Sequence, residues 1–279
     1  MSSTPDHTPN TDPALQQARS CLYQFFALAL SDPLSERADR LRQSEFVEMA
    51  AAAADFMSRA QADDAAVLAP GEMPASEMSL QPVLKLFERS AEHFEADYQN
   101  TFGLLMSKEC PPYETEYCPQ TFSVFRSNEL ADIAGYYHAF GVEPSRDRPE
   151  RQDHIALELE FMAWLIGKAL HADRSDSANA AEGAALCRDA QRDFFEKHLV
   201  WWIPAFCAAL ELKVKRASGE AADGSPAGTF YGCVARALSA FVGWERNSMK
   251  IEPPTALVEP NPDTDDAEME CAACSGAPA

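Results

Sequence analysis

The chain has 279 residues, of which 46% are hydrophobic and 24% are charged. This composition supports a folded core and excludes a chain that is disordered throughout. The charge is unbalanced, since 44 Asp and Glu residues against 23 Lys and Arg residues give a formal net charge of -21. A field of this sign repels a nucleic-acid backbone and an anionic membrane surface, whereas it attracts a cationic protein or peptide.

The sequence carries no sign of membrane insertion or secretion. It has no stretch of about 18 apolar residues, the length that a transmembrane helix needs. The first thirteen residues are polar, and they lack the basic start and the apolar centre of a secretory signal. We therefore expect a cytoplasmic protein whose eight cysteines are mostly reduced.

Apolar residues recur at spacings of three and four along most of the chain, which is the period of a helix. The predicted helices cover residues 15–30, 41–60, 82–102, 127–140, 149–171, 181–212 and 228–242, the sixth interrupted by Pro204. Alternating strand patterns are nearly absent. We predict an all-α fold with one globular helical domain, a helical bundle over residues 14–251. It lies between a disordered tail at 1–13 and an acidic, proline-rich disordered tail at 252–279.

Residues 110–118, with the sequence CPPYETEYC, form the most unusual stretch of the chain. The two prolines exclude a helix interior and favour an extended backbone. They precede two tyrosines, Tyr113 and Tyr117, and two glutamates, Glu114 and Glu116. Tyrosine has an apolar face with a polar tip, and carboxylates attract cations, so this loop is a candidate peptide-binding segment. The alternative is a connector whose tyrosines fill the core and whose glutamates face solvent.

A second candidate lies at the start of the predicted helix 149–171. Glu158 falls on the same face as the apolar residues of this helix, where a carboxylate is costly unless it is paired. His154 precedes it by one turn and is within its reach, and Asp153 is placed to cap the helix. These three side chains form either a capped helix with a structural His–Glu pair or the polar wall of a binding groove.

Other chemistries find little support in the sequence. The Glu-x-x-His pairs of di-iron bundles, the glycine-rich phosphate loops and the nucleophile elbow of acyl-transfer enzymes are all absent. One alternative is a metal or iron–sulfur site, because such sites usually need four ligands and the tail holds a C-x-x-C pair. Its ligands would be Cys110, Cys118, Cys271 and Cys274.

A strongly apolar segment follows at residues 194–206. His198 shares one helical face there with large aromatic side chains, among them Trp202 and Phe206. We expect this face to pack in the core, with His198 as a hydrogen-bonded core histidine rather than a ligand.

These motifs, taken in chain order, resemble the TorD/DmsD/NarJ family of cytoplasmic chaperones for molybdenum enzymes. The resemblance spans roughly residues 14–245 and is carried by residues 23–26, 98–102, 111–114, 153–162 and 198–206. The PPYETEY stretch is similar to the branch that serves dimethyl sulfide and ethylbenzene dehydrogenases and selenate and chlorate reductases. The chain departs from the family pattern at Gln152, since the proline usually found shortly before Asp-His lies back at Pro149.

The resemblance implies an all-helical chaperone without catalytic activity. It would bind the twin-arginine signal peptide and the apo form of a molybdoenzyme catalytic subunit. Export would be held back until that client receives its bis(guanine dinucleotide) molybdenum cofactor, and the chaperone itself would bind no cofactor stably. The implied signal-peptide and client-binding residues are Tyr113, Glu114, Glu116, Tyr117, Asp153, His154 and Glu158. Both a monomer and a domain-swapped dimer are compatible with the sequence.

Overall fold

The computed structural model describes residues 12–60, 67–86, 91–103, 108–119, 123–146, 149–217 and 229–261. Within these residues the α-helices are α1 (Pro13–Ala29), α2 (Ser44–Ala60), α3 (Gln81–Leu86), α4 (Ala91–Phe102), α5 (Ser123–Ala139), α6 (Ile155–Asp173), α7 (Ala180–Phe194), α8 (Ile203–Ala217) and α9 (Phe230–Ser248). Short 3-10 segments lie at Glu36–Arg42, Ala75–Met78 and Glu114–Tyr117. The prediction of an all-α domain is confirmed. None of the described helices is long and apolar enough to cross a membrane.

Local sequence signals explain most helix ends. Asp12 caps α1 by accepting a hydrogen bond from the backbone N–H of Ala14. Pro13 occupies the first turn, where the backbone N–H that proline lacks would have no partner within the helix. After α5 the chain turns at Gly141, whose φ of +69° is favourable only for glycine among common residues.

Three predicted helices differ from the observed ones. The helix expected at 82–102 is observed as α3 and α4, and residues 87–90 between them lie outside the described residues. The helix expected at 149–171 begins only at Ile155, because residues 149–154 run beside the 112–114 segment and His154 caps the helix. The helix expected at 181–212 divides into α7, a π-helical turn at Phe195–Leu199, and α8. Pro204 stands in the first turn of α8, where proline fits a helix.

The core is organised around α1. This helix packs against α2 and α6, while α6 also packs against α7, and α8 packs against α9. Leu22, Phe25 and Phe26 of α1 are fully buried. Tyr23 meets Phe241 of α9 edge to face, with 4.8 Å between ring centroids, a favourable geometry for two aromatic rings.

A buried ion pair connects α1 to α9. The guanidinium of Arg19 donates through Nε and Nη2 to the two carboxylate oxygens of Glu245, at 2.6 and 2.7 Å. The hydroxyl of Tyr23 donates to the same carboxylate at 2.9 Å. Arg19 and Glu245 are both buried, so each charge depends on the other for compensation.

Part of the predicted C-terminal tail lies against the domain. The backbone N–H and the side-chain amide of Asn261 donate to the carbonyls of Glu116 and Cys118, both at 2.8 Å. Residues 252–261 therefore return to the 110–118 loop. The rest of that tail, with Cys271 and Cys274, and residues 1–11 lie outside the described residues.

The substitution Glu245→Gln tests the buried pair. We expect it to lower the free energy of unfolding by about 3–5 kcal/mol, because Arg19 keeps its charge in the core without a counter-charge. Urea denaturation measures this change. Glu109→Gln is the matched control, since Glu109 pairs with Lys213 and Arg216 at the surface and its loss should cost under about 1 kcal/mol. Equal losses in the two variants would contradict the role of the buried pair.

Candidate functional site

The two sequence motifs are joined by a short antiparallel backbone bridge. The N–H of Glu114 donates to the carbonyl of Asp153 at 3.0 Å, and the N–H of Ile155 donates to the carbonyl of Pro112 at 2.9 Å. Tyr113 and His154 therefore lie opposite each other, with their rings edge to face at 5.1 Å. The prolines make this possible, since they keep the chain extended up to the bridge.

Asp153 fixes the loop to the start of α6. Its Oδ2 accepts hydrogen bonds from the N–H and the hydroxyl of Thr115, at 3.2 and 2.7 Å. The same carboxylate receives the fork of Arg151, at 3.1 Å to Oδ1 and 2.8 Å to Oδ2. Asp153 was expected to cap α6, and this is wrong. The cap is His154, whose Nδ1 accepts from the N–H of Ala156.

Arg151 is the central cation of this cluster. Besides Asp153 it contacts Thr115 Oγ1 at 2.7 Å and Glu116 Oε1 at 3.2 Å. Its guanidinium lies over the ring of Tyr113, 4.3 Å from the centroid, a cation–π geometry. The chain's own arginine thus pairs with Asp153 and Glu116, two of the acidic residues that the family resemblance implies for client binding.

A second cluster lies deeper, at Glu114. His198 of the π-helical turn places Nδ1 3.2 Å from Oε2 and 3.3 Å from Oε1 of Glu114, and its Nε2 lies 3.1 Å from Asp132 Oδ2 on α5. The carboxyl of Glu158 faces that of Glu114. Glu158 is fully buried, and neither of its oxygens has a hydrogen-bond donor in the described structure. The expected His154–Glu158 pair is not formed, and the His–Glu pair of the site is His198–Glu114.

Burial favours the protonated form of the two facing carboxyls. Burial, partly offset by His198, raises the pKa of Glu114 to about 7. Burial and the nearby Glu114 carboxyl raise the pKa of Glu158 well above its ordinary value. Two carboxylates only accept hydrogen bonds, so their contact becomes favourable when a proton lies between them. The pKa of His198 is also raised, because the effects of Glu114 and Asp132 outweigh its burial.

The structure brings all seven sequence-identified residues together, but most of them beneath the surface. Tyr113 is half-buried, and the other six are buried: Glu114, Glu116, Tyr117, Asp153, His154 and Glu158. The open polar wall expected from the sequence is therefore a buried polar network. His198 is buried and hydrogen-bonded, as expected. Sequence reasoning missed Arg151 and Asp132, although an arginine two residues before Asp153 was a usable signal.

The cysteine alternative gains no support from the described part of the chain. Cys110 and Cys118 are both buried, and neither takes part in a disulfide within the described residues. Burial raises the pKa of Cys118 to about 12. Cys271 and Cys274 lie outside the described residues.

Beside the network is an apolar groove of about 200 Å³. Its wall consists of Tyr137, Val142, Pro144, Leu157, Phe161 and Trp164, with Glu143 and Glu160 among the lining residues. The hydroxyl of Tyr137 donates to the carbonyl of Gln152 at 3.0 Å, so the groove adjoins the Asp153 segment directly. Trp164 and Glu160 also line a second, wider groove of about 660 Å³.

Comparison with known proteins places these features in a family context. The family model described as nitrate reductase delta subunit matches residues 70–208, a range that contains both clusters. The perchlorate reductase assembly chaperone protein of Dechloromonas aromatica is 33% identical over 150 residues, 53% of this chain and 62% of that protein. The selenate reductase assembly chaperone protein of Thauera selenatis is 29% identical over 158 residues, 53% of this chain and 79% of that protein.

A longer match extends over most of the chain. The chaperone protein TorD of Aeromonas salmonicida is 24% identical over 248 residues, 88% of this chain and 98% of that protein. By contrast, this chain spans about three fifths of the length of the perchlorate reductase assembly chaperone protein.

The facing carboxyls make stability depend on pH. Unfolded glutamates lose their protons near pH ~4.3, whereas Glu114 holds its proton up to about pH 7 and Glu158 beyond its ordinary range. As the pH rises through this window the unfolded chain releases protons that the folded chain keeps, so the free energy of unfolding falls. The raised pKa of His198 acts in the same direction. The lowered pKa of His154 acts oppositely, through loss of stability below pH ~6.5.

We expect Glu158→Gln to reduce the fall in unfolding free energy between pH 5.5 and pH 8 by at least about 1 kcal/mol, because it removes one buried carboxyl. Urea denaturation of EDTA-treated protein at the two pH values measures this difference. Glu160→Gln, on the exposed side of α6, is the matched control. An unchanged pH dependence in Glu158→Gln would contradict proton retention at the facing carboxyls.

Proposed function

The chain belongs to the TorD/DmsD/NarJ family, and from this premise we propose that it is the assembly chaperone of a molybdenum enzyme's catalytic subunit. In this proposal it acts in the cytoplasm, where it binds the twin-arginine signal peptide and the apoprotein. Export is delayed until the client has received its bis(guanine dinucleotide) molybdenum cofactor. The perchlorate, selenate and chlorate reductases in the relatives' names favour a client from that group of oxidoreductases.

The observation that carries the proposal is an apolar groove with carboxylates at its edge. A twin-arginine signal is cationic and then apolar, so it needs both surfaces side by side. The groove volume of about 200 Å³ is below the range of roughly 300–1,000 Å³ typical of small-molecule sites. It suits one or two apolar side chains of a peptide better than a nucleotide-linked cofactor.

The exposed carboxylates at this edge are Glu143 and Glu160. The side chain of Glu143 is 71% exposed and lies 3.6 Å from Arg146, which is 90% exposed, a weak pairing in water. Glu160 is 49% exposed and pairs with Arg37. In the proposal, these exposed carboxylates accept hydrogen bonds from the arginines of the signal peptide, because a guanidinium group can bind a carboxylate with two hydrogen bonds.

Six of the seven sequence-identified residues then have two roles, while Tyr117 packs against Trp202 in the core. Tyr113 is half-buried and is available for contact with the peptide. The buried acids and His154 hold the 110–118 loop against α6 and so keep the groove in shape. Direct contact of a client arginine with Asp153 or Glu116 would first require the departure of Arg151.

A double charge reversal, Glu143→Lys with Glu160→Lys, tests the acidic edge. We expect about tenfold weaker binding of a fluorescent twin-arginine signal peptide, because two attractions become repulsions. Fluorescence anisotropy measures the dissociation constant, and the salt dependence of binding should decrease as well. The matched control is Glu182→Lys, an exposed position on α7 away from the groove. Unchanged affinity in the double variant would remove the groove edge from the binding site.

Capture from the native host identifies the client. We expect affinity purification under anaerobic, respiring conditions to recover a molybdenum-enzyme catalytic subunit with its twin-arginine signal still attached. Mass spectrometry of the captured proteins checks both the subunit and its N-terminal peptide. Recovery only of the processed subunit, without its signal, would contradict a role before export.

A further inference from the structure

We propose that Glu114, Glu129 and His198 form a binding site for a divalent transition-metal ion of the Zn²⁺ class. One potential ligand atom from each of the three residues lies within 4.8 Å of the others. A point between the three atoms is therefore within about 2.8 Å of each of them. Bonds from Zn²⁺ to nitrogen and oxygen ligands are shorter, roughly 2.0–2.2 Å. Because Glu129 is only half-buried and has a flexible side chain, a shift of under about 1 Å closes this difference.

His198 is oriented as a metal ligand is. In metal sites the ring nitrogen that does not bind the metal usually donates its N–H to a carboxylate. Asp132 Oδ2, 3.1 Å from Nε2, is such a carboxylate. When His198 is neutral with Nε2 as the donor and Glu114 has lost its proton, Nδ1 and the Glu114 carboxylate face each other as two acceptors 3.2 Å apart. A metal ion between them would then stabilise this arrangement.

Glu158 supplies an independent indication. Its carboxyl is fully buried, faces Glu114, and has no hydrogen-bond donor for either oxygen in the described structure. An uncompensated polar group at such a position is costly. A metal ion held by Glu114 would give Glu158 a partner, so Glu158 is a candidate fourth ligand.

The nearby cations are engaged elsewhere. Arg151 is held by Asp153 and Glu116, and Arg126 lies 3.6 Å from Glu116. Among the described side chains at this cluster, His198 is the one that can bring a positive charge to Glu114, and it does so only when it is protonated. The excess of carboxylates is what a divalent cation would neutralise.

The donor set selects the class of ion. One imidazole nitrogen with two or three carboxylate oxygens suits Zn²⁺ and its neighbours, whereas Mg²⁺ and Ca²⁺ prefer oxygen alone. Entry is open on one side, because the side chain of Asp132 is 55% exposed. Once bound, the ion would link the 3-10 segment Glu114–Tyr117, α5 and the π-helical turn, three parts of the chain that sequence separates widely.

Titration of the full-length, EDTA-treated protein with ZnCl₂ tests the proposal by isothermal calorimetry. We expect one equivalent to bind and the thermal unfolding midpoint to rise by several degrees. Glu129→Gln should weaken binding at least tenfold, since it removes a ligand that makes no hydrogen bond or ion pair with the described residues. Glu158→Gln gives a second variant of the same kind. Glu196→Gln is the matched control, because Glu196 lies on the same turn as His198 but pairs with Arg192 at the surface.

The tail cysteines are the main competing zinc site. The full-length double variant Cys271→Ser with Cys274→Ser removes this site, so that any remaining zinc binding comes from elsewhere in the protein. Zinc binding that survives this change but is weakened by Glu129→Gln supports the proposed site. Binding that is lost with the cysteines and insensitive to Glu129→Gln overturns it, and so does the absence of any binding. Peptide affinity is not the readout, so failure here is distinct from failure of the chaperone assignment.

Discussion

The arrangement of the site depends on two backbone hydrogen bonds between residues 112–114 and 153–155. They hold a non-helical segment against the first turn of α6 in a domain that is otherwise built from helices. Every other contact of the network follows from this placement. Asp153 can reach Thr115 only because these two segments run side by side. Glu114 is directed inward, towards Glu158 and His198. Burial then strengthens the polar contacts, since water no longer competes for the same groups.

Acidic side chains in such a position need compensation, and the chain provides it in two different ways. The outer pair, Asp153 and Glu116, is neutralised by the fork of Arg151, whose geometry matches carboxylates. No guanidinium lies within hydrogen-bond distance of the inner pair, Glu114 and Glu158, in the described structure. This pair has His198 instead, and the raised pKa values of its two carboxyls favour bound protons. An arginine fork has a permanent charge, whereas a proton or an imidazolium is exchanged with the solvent. The outer layer is therefore a fixed support, and the inner layer is a place where cations can be exchanged.

The sequence predicts the fold well because helical periodicity is a local signal. The two non-helical features near the site were harder to predict. The late start of α6 results from pairing with residues about 40 positions earlier, and the π-helical turn at His198 has no pattern of its own. Motif reasoning identified the right residues around Asp153 and Glu114, but it treated them as surface groups. Their burial is set by contacts across 38 and 84 residues of chain, which spacing along one helix cannot show.

Burial of the motif acids also changes what the family resemblance implies about them. A buried carboxylate acts on a peptide through the shape and stability of the surface above it, and an exposed one acts through direct attraction. The groove edge at Glu143 and Glu160 has the second property, while Asp153 and Glu158 have the first. The buried network keeps the loop and α6 in register, and under the proposed function the exposed rim is the part of the surface that would match a client's charge.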